Sequence, residues 1–397
     1  MRIIIHDFKK ILNYRILAII VVLCALWFVM FMEFNITYYP NGHPFTETRD
    51  LMDEISEKFG TTVTKEQLIP FLNQRQEELE KEADSFVQNS PLLAELSINN
   101  YQEFYGWHQT ANDFTEAESA LQREFALGAG YGRLGSRIAA VSYLQEAWDW
   151  VITRLNEDNE YAGTDLERRR ITEIIETGEY GGTMFSEAWS NTLTYFCDFL
   201  ALLSLATLLL LTPLITTDRM KNVHHLQYSS KLGRRVLRQQ LYSFTLSSVL
   251  LTTVMILVFG AIYSQTGIFK YWDHNITSFQ LSSPLTIFRV TFGNYILILV
   301  AIAYVLSLSI SFISFILSRF SRNLITATIK IIPIFVVLWL FCVRVFGLDG
   351  SPLTFWSRLY QYTKTPGIEP IICAILLLLT IVASVWILRR EKHVDVI

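Results

Sequence analysis

Cysteine is scarce in this chain, and common catalytic or nucleotide-binding motifs are absent. The four cysteines are Cys24, Cys197, Cys342 and Cys373, and all of them lie in or beside long apolar runs. This placement excludes a disulfide framework, and the spacing does not suggest a metal site. The sequence has no GxxxxGK[ST] segment and no HExxH segment. These absences exclude ATP binding by a P-loop and one class of zinc protease.

Acidic residues are rare everywhere except in one segment. Residues 33–191 hold 29 Asp and Glu against 12 Lys and Arg, a net charge of −17. The rest of the chain holds 8 acidic and 21 basic residues, a net charge of +13. The basic part also carries the long apolar runs of a sequence that is 51% hydrophobic. This division predicts a membrane protein with its basic residues on the cytoplasmic side and one acidic insert outside.

Six apolar runs approach the length of about 20 residues that crosses a bilayer. Six spans place both termini on one side, and the flanking Lys and Arg residues predict that this side is cytoplasmic. The first run also resembles a secretory signal peptide, but no small-residue cleavage site follows it, so we interpret it as a retained anchor. The prediction is a multi-pass protein of the cell membrane, with residues 33–191 extracellular. The predicted spans are residues 16–32, 192–216, 241–263, 293–317, 324–346 and 370–388.

The first 15 residues are predicted to form an interfacial helix on the inner leaflet. Ile4, Phe8, Ile11 and Leu12 fall on one helical stripe, with lysines beside them. An apolar stripe with adjacent basic residues is typical of a helix that lies along a membrane surface. The alternative is a plain basic flank before span one.

Residues 33–191 carry the signals of a helical domain with its own core. Capping-box patterns begin at Thr64 and Thr115, and an apolar stripe at helical spacing runs from Leu134 to Leu155. The aromatic stretch Tyr101–Trp107 is predicted to be core rather than a ligand cradle. The acidity of the domain has two interpretations, a solvated surface or attraction of cationic ligands such as antimicrobial peptides.

A glycine motif and three ionisable residues complete the candidates. Gly130–Gly135 has the GxGxxG spacing, but the helical pattern before it predicts an interhelical turn instead of a dinucleotide site. Asp198 lies inside span two and is a candidate for a substrate pathway. Lys330 and Arg344 lie inside span five, and their long side chains are expected to reach the interface. No paired His, Asp or Glu lies in the spans, which argues against an intramembrane enzyme.

The order of these segments is similar to that of a known family. A large insert separates spans one and two, and short polar or basic segments stand at the predicted cytoplasmic ends of the spans. The chain therefore resembles the permease subunit of ABC transporters of the type-two, exporter-like class. The similarity is one of architecture over the whole chain. The segments that carry it are Phe8-Lys-Lys-Ile-Leu12, Tyr228-Ser-Ser-Lys-Leu-Gly-Arg-Arg235, Ser318-Arg-Phe-Ser-Arg-Asn323 and Arg389-Arg390.

The resemblance implies a fold and a function. The fold is an all-α membrane protein with an elbow helix at 1–15, span one at 16–32, an extracellular domain at 33–191, and spans two to six within 192–397. The cytoplasmic coupling loop at 217–240 holds a coupling helix at about 218–230. Family members often carry a Gly and a Glu just after span two, where this chain has Asp218 and Asn222. The residues expected to contact a separate ATP-binding subunit are Val223, Leu226, Tyr228, Lys231, Arg234 and Arg235.

In this interpretation the chain exports a peptide or another amphiphile, and antimicrobial peptide resistance is one version of that function. Two permeases form the pore, as a homodimer or a heterodimer, with membrane lipid around them. The chain itself is not an enzyme, needs no cofactor or metal and binds no nucleic acid. The rival interpretation is a sensor or structural protein that transmits a signal from the outer domain inward without transport.

Overall fold

The computed structural model describes residues 2–110, 113–221, 233, 235–348 and 350–391. Helix makes up 78% of the structure, and the described residues form isolated β-bridges but no strand. The predicted all-α class is confirmed. The chain divides into two compact units. The membrane unit is Met1–Thr37, Ser190–Trp272 and Gly293–Ile397, and the insert unit is Tyr38–Trp189 with Asp273–Phe292.

The helices follow one another through both units with short connections. Proline lacks a backbone N–H, and Pro213 accordingly begins a new helix where the preceding one ends. A π-helical turn, Phe28–Met32, extends the second helix. The α-helices are α1 Arg2–Ile11, α2 Tyr14–Trp27, α3 Phe34–Thr37, α4 Phe45–Phe59, α5 Lys65–Gln88, α6 Pro91–Glu95, α7 Tyr101–Thr110, α8 Glu116–Leu127, α9 Leu134–Glu160, α10 Asp165–Glu176, α11 Ser186–Leu211, α12 Pro213–Met220, α13 Arg235–Tyr263, α14 Phe292–Arg319, α15 Leu324–Phe346, α16 Arg358–Thr363 and α17 Ile368–Arg390.

Six helical segments are long and apolar enough to cross a membrane, as the sequence predicted. Span two is the most covered, with 83% of its apolar window buried, whereas the other spans range from 11% to 44%. Span two is therefore the central helix of the membrane unit, and the remaining spans keep apolar faces free for lipid. The six segments are Tyr14–Met32, Ser186–Met220, Val236–Thr266, Phe292–Arg319, Leu324–Phe346 and Ile368–Arg390.

The insert unit is built around α9, which packs against α4, α5, α8 and α10. The predicted capping boxes at Thr64 and Thr115 are both present and begin α5 and α8. The glycine motif lies between α8 and α9, with a helix on each side, so the predicted interhelical turn is confirmed. The predicted stripe on α9 forms the core of the unit through the buried side chains of Leu134, Ile138, Val141, Leu144, Trp148, Val151 and Leu155.

The connection between spans three and four also belongs to the insert unit. The sequence analysis confined the domain to 33–191 and gave residues 273–292 no role in it. In the structure Phe279 is fully buried, and its ring meets Trp148 edge-on at 5.2 Å between centroids. A Cβ atom at Gly182 would overlap the carbonyl oxygen of Thr277, so glycine permits the two backbones to approach. The core of the unit is therefore shared between two distant segments.

A buried ion pair fixes this second segment. Arg170 on α10 donates to Glu179, with 2.9 Å between Nη1 and Oε2, and the two side chains are only 4% and 1% exposed. The Arg170 Nε also donates to the carbonyl of Thr286 at 3.2 Å. A buried guanidinium is stable only when its donors are satisfied. The pair and the second segment are therefore expected to form together.

We predict that Arg170→Met in the full chain lowers the free energy of unfolding of the insert unit by about 3–5 kcal/mol, because Glu179 is left charged and buried without its partner. Pulse proteolysis across a urea series, which detects cleavage within 38–189, measures the change. The control is Arg168→Met on the same helix, where the ion pair with Asp165 is solvent-exposed and contributes at most about 1 kcal/mol. Equal effects of the two substitutions would contradict the role given to the buried pair.

Candidate functional site

Asp218 is the centre of a polar cluster that joins the ends of several membrane-unit helices. Its side chain is 6% exposed and lies near the end of α12. Its Oδ1 accepts a hydrogen bond from Lys10 Nζ of α1 at 2.9 Å, and its Oδ2 accepts one from Gln240 Nε2 of α13 at 3.2 Å. One carboxylate therefore connects the N-terminal helix with the end of span two and the beginning of span three.

Arg219 extends the cluster to the other spans. Its guanidinium donates to the carbonyl of Arg319 and, at 3.4 Å, to that of Ser321, both in the turn between spans four and five. The Ser318 hydroxyl donates to the carbonyl of Thr212 at 2.6 Å. Arg319 in turn pairs with Glu391 just after span six, with 2.8 Å between Nε and Oε1. The ends of spans two, four and six are thus linked by charged and neutral hydrogen bonds.

This cluster stands beside the predicted contact with an ATP-binding subunit. The predicted coupling helix at about 218–230 begins inside α12, which continues to Met220. Arg235 is the first residue of α13. The described flanks of the coupling segment are therefore held in the polar cluster, while the partner contact stays a prediction. The other predicted contact residues lie outside the described residues: Val223, Leu226, Tyr228, Lys231 and Arg234.

A groove of about 710 Å³ opens next to the same cluster, between the N-terminal helix, the start of span one and the end of span two. Lys9, Lys10 and Lys221 supply positive charge to its wall, and Leu210 and Leu214 supply apolar surface. A basic and apolar lining of this kind suits the head group and upper chains of an anionic lipid.

Asp198, the predicted pathway residue, is half-buried in span two. The indole Nε1 of Trp27 donates to its backbone carbonyl at 3.2 Å, which joins spans one and two. Its carboxylate has no hydrogen bond or ion pair with any described residue. It does not line the apolar cavity of about 100 Å³ that Tyr195, Phe259 and Tyr263 enclose with residues of span four. The structure therefore brings Asp198 to no second charge, and its pathway role stays a prediction.

Two features of the membrane unit gave little sign in the sequence. Glu369, at the start of span six, is fully buried and accepts hydrogen bonds from the Ser357 hydroxyl and the backbone N–H of Leu353. The Lys10–Asp218 pair joins residues 208 positions apart. The only available signal was the presence of opposite charges beside spans that end on the same predicted side.

Comparison of the chain with protein-family models, characterised proteins and solved structures gave no match. Among the described residues, no group of His, Cys, Asp or Glu has an arrangement that could hold a metal ion. The chemistry of the site must therefore be argued from its own contacts. Those contacts tie helix ends together around a basic segment, an arrangement suited to transmitting force between a partner and the spans.

We predict that Asp218→Ala loosens α1. Ile11 is 1% exposed, so a cysteine at this position, in a chain whose native cysteines are replaced by alanine, reacts slowly with a membrane-permeant maleimide. Hydrogen bonds to a charged group contribute about 1.5–3 kcal/mol each. Their loss is expected to speed the labelling at least about tenfold. Asp198→Ala is the control, because it removes an acid from the same span without touching α1, and unchanged labelling of the Asp218→Ala variant would disprove the link.

Proposed function

We propose that this chain is the membrane-spanning permease subunit of an ATP-driven exporter of the ABC type, with a separate ATP-binding subunit as its motor. The polar cluster around Asp218 and Arg219 is the observation that carries this proposal. It joins the ends of α1 and spans two, three, four and six on both flanks of a basic segment. A force applied to that segment reaches these helices together, which is what an alternation between two packed arrangements requires.

The N-terminal helix supports the same proposal. α1 ends at Ile11 and is separated from span one by a break at Leu12 and Asn13. Asp7 and Ile11 are buried, Lys9 is exposed, and the helix packs on α13 and α12. A helix with one buried face and exposed lysines beside the start of a span has the properties of an interfacial elbow. Anionic lipid in the neighbouring groove is its proposed partner.

The division of charge supports the proposed orientation in the cell membrane. The basic residues at the polar cluster mark the cytoplasmic side, which also holds both termini. The insert unit, with its net negative charge, then lies outside. In this topology a second copy of the chain or a related permease completes the pore, and a peptide or another amphiphile is the exported substrate. Resistance to an antimicrobial peptide is one physiological form of such export.

The second candidate function is a sensor that transmits a signal without transport. One observation favours it: the insert unit contains both the segment before span two and the whole connection from span three to span four. A ligand that changes this unit acts directly on the chain entering three spans. Co-purification with an ATP-binding subunit distinguishes the exporter from the sensor, because a sensor of this kind needs no motor.

We predict the following labelling pattern in intact cells. Cysteines at Glu77 and Glu160, which are exposed in the insert unit, react with a membrane-impermeant maleimide. A cysteine at Lys231 reacts only after the membrane is permeabilised, because the basic loop is cytoplasmic. Each cysteine is introduced singly, with the native cysteines replaced. Labelling at Lys231 in intact cells would reverse the proposed orientation.

We predict that Val223→Asp combined with Leu226→Asp abolishes co-purification of the ATP-binding subunit and substrate-stimulated ATP hydrolysis. Central residues of an interface contribute about 2 kcal/mol or more each, and a carboxylate in place of an apolar anchor adds a desolvation cost. The measurement is pull-down followed by an ATPase assay on the purified complex, with membrane insertion checked separately.

The matched control for this test is Val223→Leu with Leu226→Met, which keeps the segment apolar and should leave docking intact. The apolar positions are chosen because Lys231, Arg234 and Arg235 can also bind anionic lipid, at about 1 kcal/mol each. If the double-aspartate variant binds its ATPase like the wild type, the coupling assignment is wrong and the sensor gains support.

A further inference from the structure

The insert unit carries a groove that neither the polar cluster nor the proposed coupling uses. It lies between α5, α7, α8 and α9 and has a volume of about 570 Å³. Binding sites for small molecules and peptide side chains usually measure about 300–1,000 Å³. The groove is therefore large enough to hold several side chains of a bound ligand.

The floor of the groove is aromatic. Phe104 and Phe125 are buried, with ring centroids 4.9 Å apart, and Tyr101 stacks on Phe125 at 6.1 Å. Tyr105, one turn further along α7, lines the groove and is 50% exposed. The sequence analysis assigned this stretch to the core, and the structure divides it. Tyr101 and Phe104 belong to the core, whereas Tyr105 presents its ring to solvent.

The charge of the lining has one sign apart from a histidine. Glu80 and Glu146 line the groove with His108, and no Lys or Arg is among the lining residues. Burial, together with the nearby Glu80 carboxylate, raises the pKa of Tyr101 to about 12. The phenol of Tyr101 therefore stays neutral at physiological pH and adds no positive or negative charge. A ligand with basic groups would meet complementary charge here.

Two buried polar atoms of the lining lack a hydrogen-bond partner among the described residues. They are Oε1 of Gln76 and Nε2 of Gln122. The Gln76 Nε2 is already occupied, because it donates to Glu80 at 2.9 Å. A buried polar atom without a partner costs free energy, and a ligand that supplies the missing bond recovers it. One missing donor and one missing acceptor correspond to the C=O and N–H groups that a peptide main chain offers.

We propose that this groove binds a cationic amphiphilic peptide. An apolar side chain of the peptide lies on the floor formed by Phe104 and Phe125, and its Lys or Arg groups pair with Glu80 and Glu146. The main chain of the peptide meets the two glutamine side chains. The net charge of −17 on residues 33–191 attracts such a peptide over a longer range.

The choice of a cationic ligand follows from the lining. A neutral amphiphile could occupy the aromatic floor but would leave both glutamates without a partner, and an acidic one would be repelled by them. The proposal goes beyond export, since the groove lies within the insert unit and its binding is measured without any ATP-binding subunit. Failure of the binding test would leave the coupling proposal standing, and failure of coupling would leave the groove.

The test uses the full chain in nanodiscs of phosphatidylcholine, a lipid without net charge, so that a cationic peptide does not bind the bilayer electrostatically. The probe is a short fluorescent peptide of Lys and Leu, and fluorescence anisotropy gives its Kd. The same peptide with Glu in place of Lys is the ligand control. We expect the Lys peptide to bind with salt-sensitive affinity and the Glu peptide not to bind.

Two sets of variants locate the site. Glu80→Gln with Glu146→Gln removes two charges at nearly constant shape and is expected to weaken binding about tenfold. Glu157→Gln with Glu160→Gln removes two charges from the exposed end of α9, which does not line the groove, and should leave Kd within about twofold. Tyr105→Ala removes an exposed aromatic ring and is expected to weaken binding about fivefold. Circular dichroism verifies that each variant remains folded.

The outcomes separate the proposal from its rivals. Selective weakening by the groove variants supports it. Equal weakening by both glutamate pairs would mean attraction by net charge alone and would overturn the groove as the site. An unchanged Kd for Tyr105→Ala, or no binding of the Lys peptide to the wild-type chain, would overturn it as well.

Discussion

The insert unit depends on one buried ion pair, between Arg170 and Glu179. Two opposite charges removed from water are stable only when their other hydrogen-bonding groups are also satisfied. Here the remaining donor of the arginine finds the carbonyl of Thr286, more than a hundred residues further along the chain. The pair thereby fixes 273–292 against the α9 core, and Phe279 fills the space beside Trp148. Without that segment the core would lack a buried aromatic ring and the arginine one of its acceptors.

Much of the architecture could be predicted from the sequence, because its signals are local. Apolar runs of spanning length, capping boxes at Thr64 and Thr115 and the stripe on α9 each depend on residues a few positions apart. The role of 273–292 could not be predicted, since the segment has no helical period and its partners include backbone carbonyls, which have no sequence signature. The Lys10–Asp218 contact was equally hidden, because a charge beside one span does not identify its partner beside another.

The candidate sites differ in how far they follow from the sequence. The coupling segment was predicted from its basic residues and its place between two spans, and the structure adds the polar cluster that holds its flanks. Asp198 was singled out because a short acidic side chain inside a span is costly, yet it lies close to no second charge. The groove could not be foreseen, since it depends on how α5, α7, α8 and α9 pack against one another. Within the aromatic stretch, only tertiary packing decides that Phe104 is covered and Tyr105 is not.

The division of the insert unit into two segments has a consequence for biosynthesis. The ribosome releases residues 38–189 first, then two further spans, and only afterwards the residues that complete the core. During this interval Arg170 and the face of Trp148 remain without their final partners, and the partly folded domain must wait while the translocon inserts spans two and three. Correct insertion of those spans is thus a condition for folding of the polar domain. A nascent chain that stalls before span four would expose an incomplete core to the proteases and chaperones of its compartment.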